Sequence, residues 1–236
     1  MERVRLDKFL ADQGLGSRKE LRDMVRGGRI QVNGLTERSP ERKIDPGTDL
    51  VSFDGRALSH ARSLTIMLDK PLGVVTATED RNEKTVLDLL PPELRRRGLF
   101  PVGRLDKDTS GLLLLTNDGD FAHRVISPKS AVEKCYCAKV EGRASPEDVE
   151  AFRLGLSLRD GTKCLPARLE ILPDDRVIVT VTEGKYHQVR RMLASRGLPV
   201  VELRRLSVGS LQLDEKLGPG GWKELTEEDL CRVFSA

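Results

Sequence analysis

The 236 residues are 38% apolar and 33% charged, with 4% aromatic residues and a net charge of +3. No window approaches the roughly 20 apolar residues of a membrane-spanning helix, and the opening Met1-Glu-Arg-Val-Arg-Leu-Asp has no apolar secretory core. The expected compartment is the cytoplasm, with no membrane role. The length suits a small module followed by a larger domain, with a core that needs no staples. Residues 1–62 hold 13 basic against 10 acidic residues, whereas 63–236 hold 27 of each, so the whole excess lies in the first quarter. Cys135 and Cys137 form C-x-C with no second cysteine pair or histidine cluster nearby. That spacing reads as one face of a strand rather than a metal site.

In chain order, Leu6, Phe9 and Leu10 have helical spacing, with Gly14 or Gly16 as the stop. Ser17 with Glu20 matches a capping box, and the helix it starts runs to about Arg26 before Gly27-Gly28. Ile30 and Val32 alternate with polar residues as in a strand, and Asn33-Gly34 gives a tight turn. Asp45-Pro-Gly is a second turn, and 50–53 a further strand closing at Asp54-Gly55. On the second helix Arg18, Arg22 and Arg26, with Arg29 beyond it, are spaced four, four and three, so they line one face with Lys19 beside them. Leu21, Met24 and Val25 point the other way. A solvated helix face is the plain reading. A stripe with few interrupting acids also suits the regularly spaced charge of a phosphate backbone.

The runs Arg5-Leu-Asp-Lys-Phe-Leu, Ser17-Arg-Lys and Gly28-Arg-Ile-Gln-Val-Asn-Gly34 resemble an S4-type RNA-binding module. That resemblance covers about 60 residues and implies RNA binding without naming a reaction. Residues 59–63 read as a polar linker, so the expected division is 1–60 and 61–236. Strands are expected at 64–68, 112–116, 134–140, 177–182, 200–206 and 211–213. A β-branched run fills 74–78. Helices are expected at 121–126, capped by Asp118 or Asp120, at 146–154, capped by Ser145, and at 188–195. Shorter turns of helix are expected at 85–90 and 93–97. Strands and helices do not alternate strictly, so the fold class is α+β, with a mixed, mostly antiparallel sheet and flanking helices.

Three segments place charged residues beside strong strands or tight turns. In 103–119 a polar loop with Arg104, Asp106, Lys107 and Asp108 feeds an apolar strand, which fixes the loop's geometry as a catalytic carboxylate requires. Asp106 can equally accept backbone N–H groups in an Asp-Thr-Ser-Gly turn. In 133–139 Tyr136 reads as ordinary strand packing. In 182–193 a glycine turn enters a helix carrying Lys185, His187, Gln188, Arg190 and Arg191 in its first turns. Cations there oppose the helix dipole, a local conflict that points to function.

The 103–119 unit resembles the signature of the pseudouridine synthases, in the branch that carries an N-terminal S4-type module and acts on ribosomal RNA. The resemblance implies that Asp106 is the nucleophile, that Tyr136 after Lys134-x stacks on the target base, and that Arg190 pairs with Asp106. It implies that Arg104 handles the flipped-out nucleotide and that Lys185 and Arg191 contact phosphate. His187 would be a hydrogen-bonding orienter, with Gln188 beside it at the RNA. Leu68-Asp-Lys-Pro-Leu-Gly-Val74 resembles the strand opening the catalytic domain, with Lys70 near the nucleic acid. Arg18, Lys19, Arg22, Arg26 and Arg29 would grip the RNA backbone.

The implied reaction turns one uridine of bacterial small-subunit (16S) ribosomal RNA into pseudouridine. It needs no redox step, metal or group donor, and the sequence has no phosphate-cradling glycine loop and no metal-ligand cluster, so no cofactor is expected. The partner is ribosomal RNA, naked or in an assembling subunit, and nothing demands more than a monomer. Large-subunit (23S) RNA as target, a non-catalytic S4-module assembly factor and an S4-module regulator of translation are the alternatives.

Overall fold

The structure, a computed structural model, describes residues 3–13, 15–58 and 63–235. Gly14, expected as a helix stop, and most of the expected linker, 59–62, lie outside the described residues. The chain divides into two compact units, Met1–Ser63 with Pro92–Gly98, and Leu64–Pro91 with Leu99–Ala236.

The first unit contains β1 (Val4–Arg5), α1 (Leu6–Asp12), α2 (Arg18–Arg26), β2 (Ile30–Val32), β3 (Leu35–Glu37), β4 (Lys43–Ile44), β5 (Val51–Phe53) and β6 (Arg56–Leu58). Strands β3-β2-β5-β6 form an antiparallel sheet, and β1 pairs with β4. Both hairpin turns use a residue and a glycine at positive φ, Asn33-Gly34 and Asp54-Gly55. Those angles match the twist of the flanking strands, which is why Asn-Gly and Asp-Gly stand there. The α2 capping box forms as its sequence requires, with Ser17 and Glu20 each bonding the other's backbone N–H. Leu21 and Val25 join Leu6, Phe9, Leu10, Ile30 and Val51 in the core, while Arg18, Lys19, Arg22, Arg26 and Arg29 stay exposed.

In chain order there follow β7 (Thr65–Lys70), α3 (Pro92–Arg95), which belongs to the first unit, β8 (Phe100–Pro101), β9 (Ser110–Thr116), α4 (Gly119–Ile126), β10 (Lys134–Val140), α5 (Pro146–Leu154), β11 (Arg168–Leu172), β12 (Arg176–Val181), α6 (Gln188–Ser195), β13 (Val200–Val208), β14 (Leu211–Gln212), β15 (Trp222–Glu224) and α7 (Glu227–Arg232). The sheet order is β11-β12-β10-β13-β9-β7-β15, with β14 on β13 and β8 on β9. Every neighbouring pair is antiparallel except β9 with β13. The α+β class and the mixed, mostly antiparallel sheet therefore hold. One apolar cluster joins α5 and α6 to β10–β13 through Phe152, Met192, Leu193 and Val179. A second joins α4 to β7 and β9 through Phe121, Val125, Met67 and Leu112.

The run 74–78 is not a strand and keeps one bridge, Val75 to Thr85. Strands β11 and β15 and helix α7 are additions to the expected elements. The β11–β12 hairpin turns on Asp174 and Asp175, both at positive φ, without the glycine or asparagine that announces such a turn.

Candidate active site

A cleft of about 430 Å³ opens in the second unit between the loop before β9, strands β10 and β13, and the turn before α6. Asp106, Arg104, Lys134, Tyr136, His187 and Arg205 are among the residues lining it. The loop that presents Asp106 is held with unusual completeness. The Leu105 carbonyl accepts from Thr76 Oγ1 at 2.6 Å, and that of Asp106 from Thr109 N at 3.0 Å. Lys107 O accepts from Gly73 N at 2.8 Å, Asp108 O from Arg190 Nη2 at 2.8 Å, and Thr109 O from Lys70 Nζ at 2.9 Å. Five successive carbonyls are thus satisfied, and Asp106 is among the loop residues that line the cleft.

Two expected roles change on this geometry. Arg190 does not pair with Asp106. Its guanidinium lies 3.0 Å from the Asp108 carboxylate and bonds the Asp108 carbonyl, so it anchors the loop two residues past Asp106. An imidazole rather than a guanidinium stands beside Asp106: His187 Nε2 is 3.4 Å from Oδ1. Lys70 does not reach nucleic acid. It is fully buried and donates to the carbonyls of Pro71 and Thr109. Burial pulls its pKa down to about 8, with Asp108 and then Asp106 pulling the other way.

The turn before α6 is also an internal network. Gln188 is buried, donates to Glu183 at 2.8 Å and accepts from Lys185 N at 2.9 Å, so its amide is spent on shaping the turn rather than on RNA. Lys185 ion-pairs with Glu183 at 2.7 Å, and Arg191 with Asp160 at 2.5 Å. α6 has no acid in its own first turn, and the expected clash of cations with its dipole is eased by pairing Lys185 and Arg191 with acids outside the helix. Burial pushes the Glu183 carboxyl up, but the bond from Lys185 and the Leu165 N–H outweigh it and hold the group below its ordinary value.

Sequence reasoning missed Arg205. It is 5% exposed, sits opposite Tyr136 across the β10–β13 ladder, and donates to Leu112 O at 2.7 Å. Its Nη1 lies 3.4 Å from the Tyr136 hydroxyl and its guanidinium 5.9 Å from the ring centroid. A signal for it exists: in a strand, position 205 shares a face with the buried Leu203 and Ser207. Lys134 adds charge to the same wall. Burial first, then Arg205, lowers its pKa to about 8.

Residues 64–195 match the RNA pseudouridylate synthase family, and residues 4–50 match the S4 domain. This chain belongs to the RNA pseudouridylate synthase family. An uncharacterised RNA pseudouridine synthase of Bacillus subtilis is 45% identical, over 96% of this chain and 97% of that protein. The ribosomal small subunit pseudouridine synthases A of Vibrio cholerae and Escherichia coli are each 40% identical, over 98% of this chain and 100% of theirs. A crystal structure of a pseudouridylate synthase is 35% identical with a TM-score of 0.70, covering 98% of this chain and 99% of that one.

The synthase carries its basic N-terminal stripe unevenly. Arg29 is engaged by Asp54 and lies over the Phe53 ring at 4.5 Å, and Arg22 Nε is 3.8 Å from Asp7. Arg18, Lys19 and Arg26 are exposed on α2. Among the described residues of the synthase, no helix is long and apolar enough to cross a membrane.

Proposed function

We propose that this synthase converts one uridine of small-subunit ribosomal RNA to pseudouridine, with Asp106 as nucleophile acting on a nucleotide flipped out of its stack. The observation that carries the reading is Asp106 set in the cleft that also holds Tyr136 and Arg205, on a loop whose backbone is fixed from outside. In the reaction the bond from C1′ to N1 breaks, the uracil turns, C5 bonds to C1′, C5 gives up a proton and N1 gains one. No atom is added, so no donor is needed. A carboxylate can supply the covalent step. Extruding the base costs a few kcal/mol, and stacking on Tyr136 returns about 1–3 kcal/mol. Arg205 and Lys134 favour the negative charge that develops on uracil oxygens as the glycosidic bond opens. Arg104, exposed at the cleft edge, would take the phosphate of the extruded nucleotide. The two relatives whose names specify the ribosomal small subunit support that substrate. The S4 domain supports an RNA partner held by its backbone.

Incubation with unmodified small- and large-subunit rRNA, followed by carbodiimide-stopped primer extension, tests this. One new stop in the small-subunit RNA is expected, absent with Asp106→Asn. A stop in the large-subunit RNA alone would move the target, and equal activity of the variant would remove Asp106 from the mechanism.

A further inference from the structure

In the wall of the cleft lies an aromatic pair that the chemistry above does not use. Tyr186 and His187 are consecutive, yet their rings stack face to face, 4.0 Å apart and 20° from parallel. In extended chain, neighbouring side chains point to opposite sides. Here His187 takes the left-handed conformation, with φ of 47°, and that kink folds one ring onto the next. A non-glycine residue held there is an unfavourable choice that surrounding structure must impose. The imposition is visible: Arg191 Nη1 holds the Tyr186 carbonyl at 3.2 Å, and the Glu183–Lys185–Gln188 network fixes the turn on either side.

The result is a ring rigid at its backbone and open at its face. Tyr186 is 72% exposed, although both it and His187 line the cleft. His187 stands between Tyr186 and Asp106, since its Nε2 lies 3.4 Å from the carboxylate. A planar group resting on Tyr186 is therefore beside the nucleotide at Asp106 and is not that nucleotide. Cationic groups of Arg104 and Lys185 share the cleft, which suits an occupant with a phosphate backbone.

We infer that the Tyr186–His187 pair is a stacking shelf for the unpaired base of a nucleotide flanking the target uridine, an inference that rests on the proposed RNA-modifying function. Flipping one nucleotide deprives its neighbour of a stacking partner. An exposed aromatic face replaces that partner without regard to base identity.

The test uses the full-length protein and a small-subunit rRNA transcript carrying the mapped uridine. Tyr186→Ala is expected to raise KM about tenfold to a hundredfold, with a much smaller change in kcat, and Tyr186→Phe to recover most of the loss. RNA made abasic at each nucleotide flanking the uridine provides an arm that leaves the protein intact. At one of the two positions the wild type should lose as much as Tyr186→Ala loses on intact RNA, and the two changes together should cost no more than either alone. An unchanged KM for Tyr186→Ala, or fully additive losses at both flanking positions, overturns the shelf while leaving pseudouridine formation standing. Absence of pseudouridine in either rRNA with the wild type overturns the function and the shelf with it.

Discussion

An ammonium buried as completely as that of Lys70 must gain something for its lost hydration, and here it gains the carbonyls of Pro71 and Thr109. The folded protein releases this proton near pH 8, whereas the unfolded chain keeps it to the ordinary 10.5. Unfolding therefore takes up a proton between those values, and stability tied to this group rises with pH through that window. Thermal midpoints of the wild type and of Lys70→Met should diverge in favour of the wild type from pH 8 to pH 10. A difference constant with pH would assign the proton elsewhere. The residue types of the site were legible, because loop-then-strand pattern and family resemblance both pointed to Asp106. Their partners were not. That Arg190 takes Asp108, that Lys70 turns inward and that Arg205 faces Tyr136 follow from which strands become neighbours, and no local spacing encodes that.

Gly111 shows how one element's geometry is set by another. It is the second residue of β9 and lies beside Arg205 of β13 in the parallel β9–β13 pairing. Its φ is 103°, and a Cβ there would come within 2.2 Å of the Arg205 carbonyl oxygen. No flexible side chain can give way, since the obstacle is backbone. Gly111→Ala should cost at least the usual 1–3 kcal/mol or so of overpacking in urea denaturation. It should also lower activity in the molecules that remain folded, because it displaces Arg205 from Tyr136. A variant with wild-type stability would refute the close approach. Elements with a strong local signal, such as β10, α5 and α6, match their expected bounds. α5 starts at its Ser145 cap and α6 stops before Gly197, the local signals that set their bounds. Strand β15 has three residues and pairs at the sheet edge, too short for alternation to speak. Helix α7 does carry a capping box, Thr226 to Asp229, a cue that a reading led by apolar periodicity passes over.

For the whole molecule the net charge of +3 says less than where unpaired cations stand. Arg22 and Arg29 of the N-terminal stripe sit against acids, so among the described residues of the stripe the proposed phosphate contacts fall to Arg18, Lys19 and Arg26. Replacing these three by alanine should weaken RNA affinity and reduce the slope of log K against log salt by about 0.7–0.9 for each phosphate no longer neutralised, with kcat little changed. An unchanged slope would place the electrostatic grip on other residues.

The five held carbonyls of residues 105–109 have a consequence for motion. Four of their donors come from residues 70, 73, 76 and 190, separated in the chain but tied to the same few ångströms of loop. A segment moored at every peptide cannot swing toward its target. On the proposed mechanism the Asp106 carboxylate stays where the sheet puts it, and the RNA is the partner that deforms.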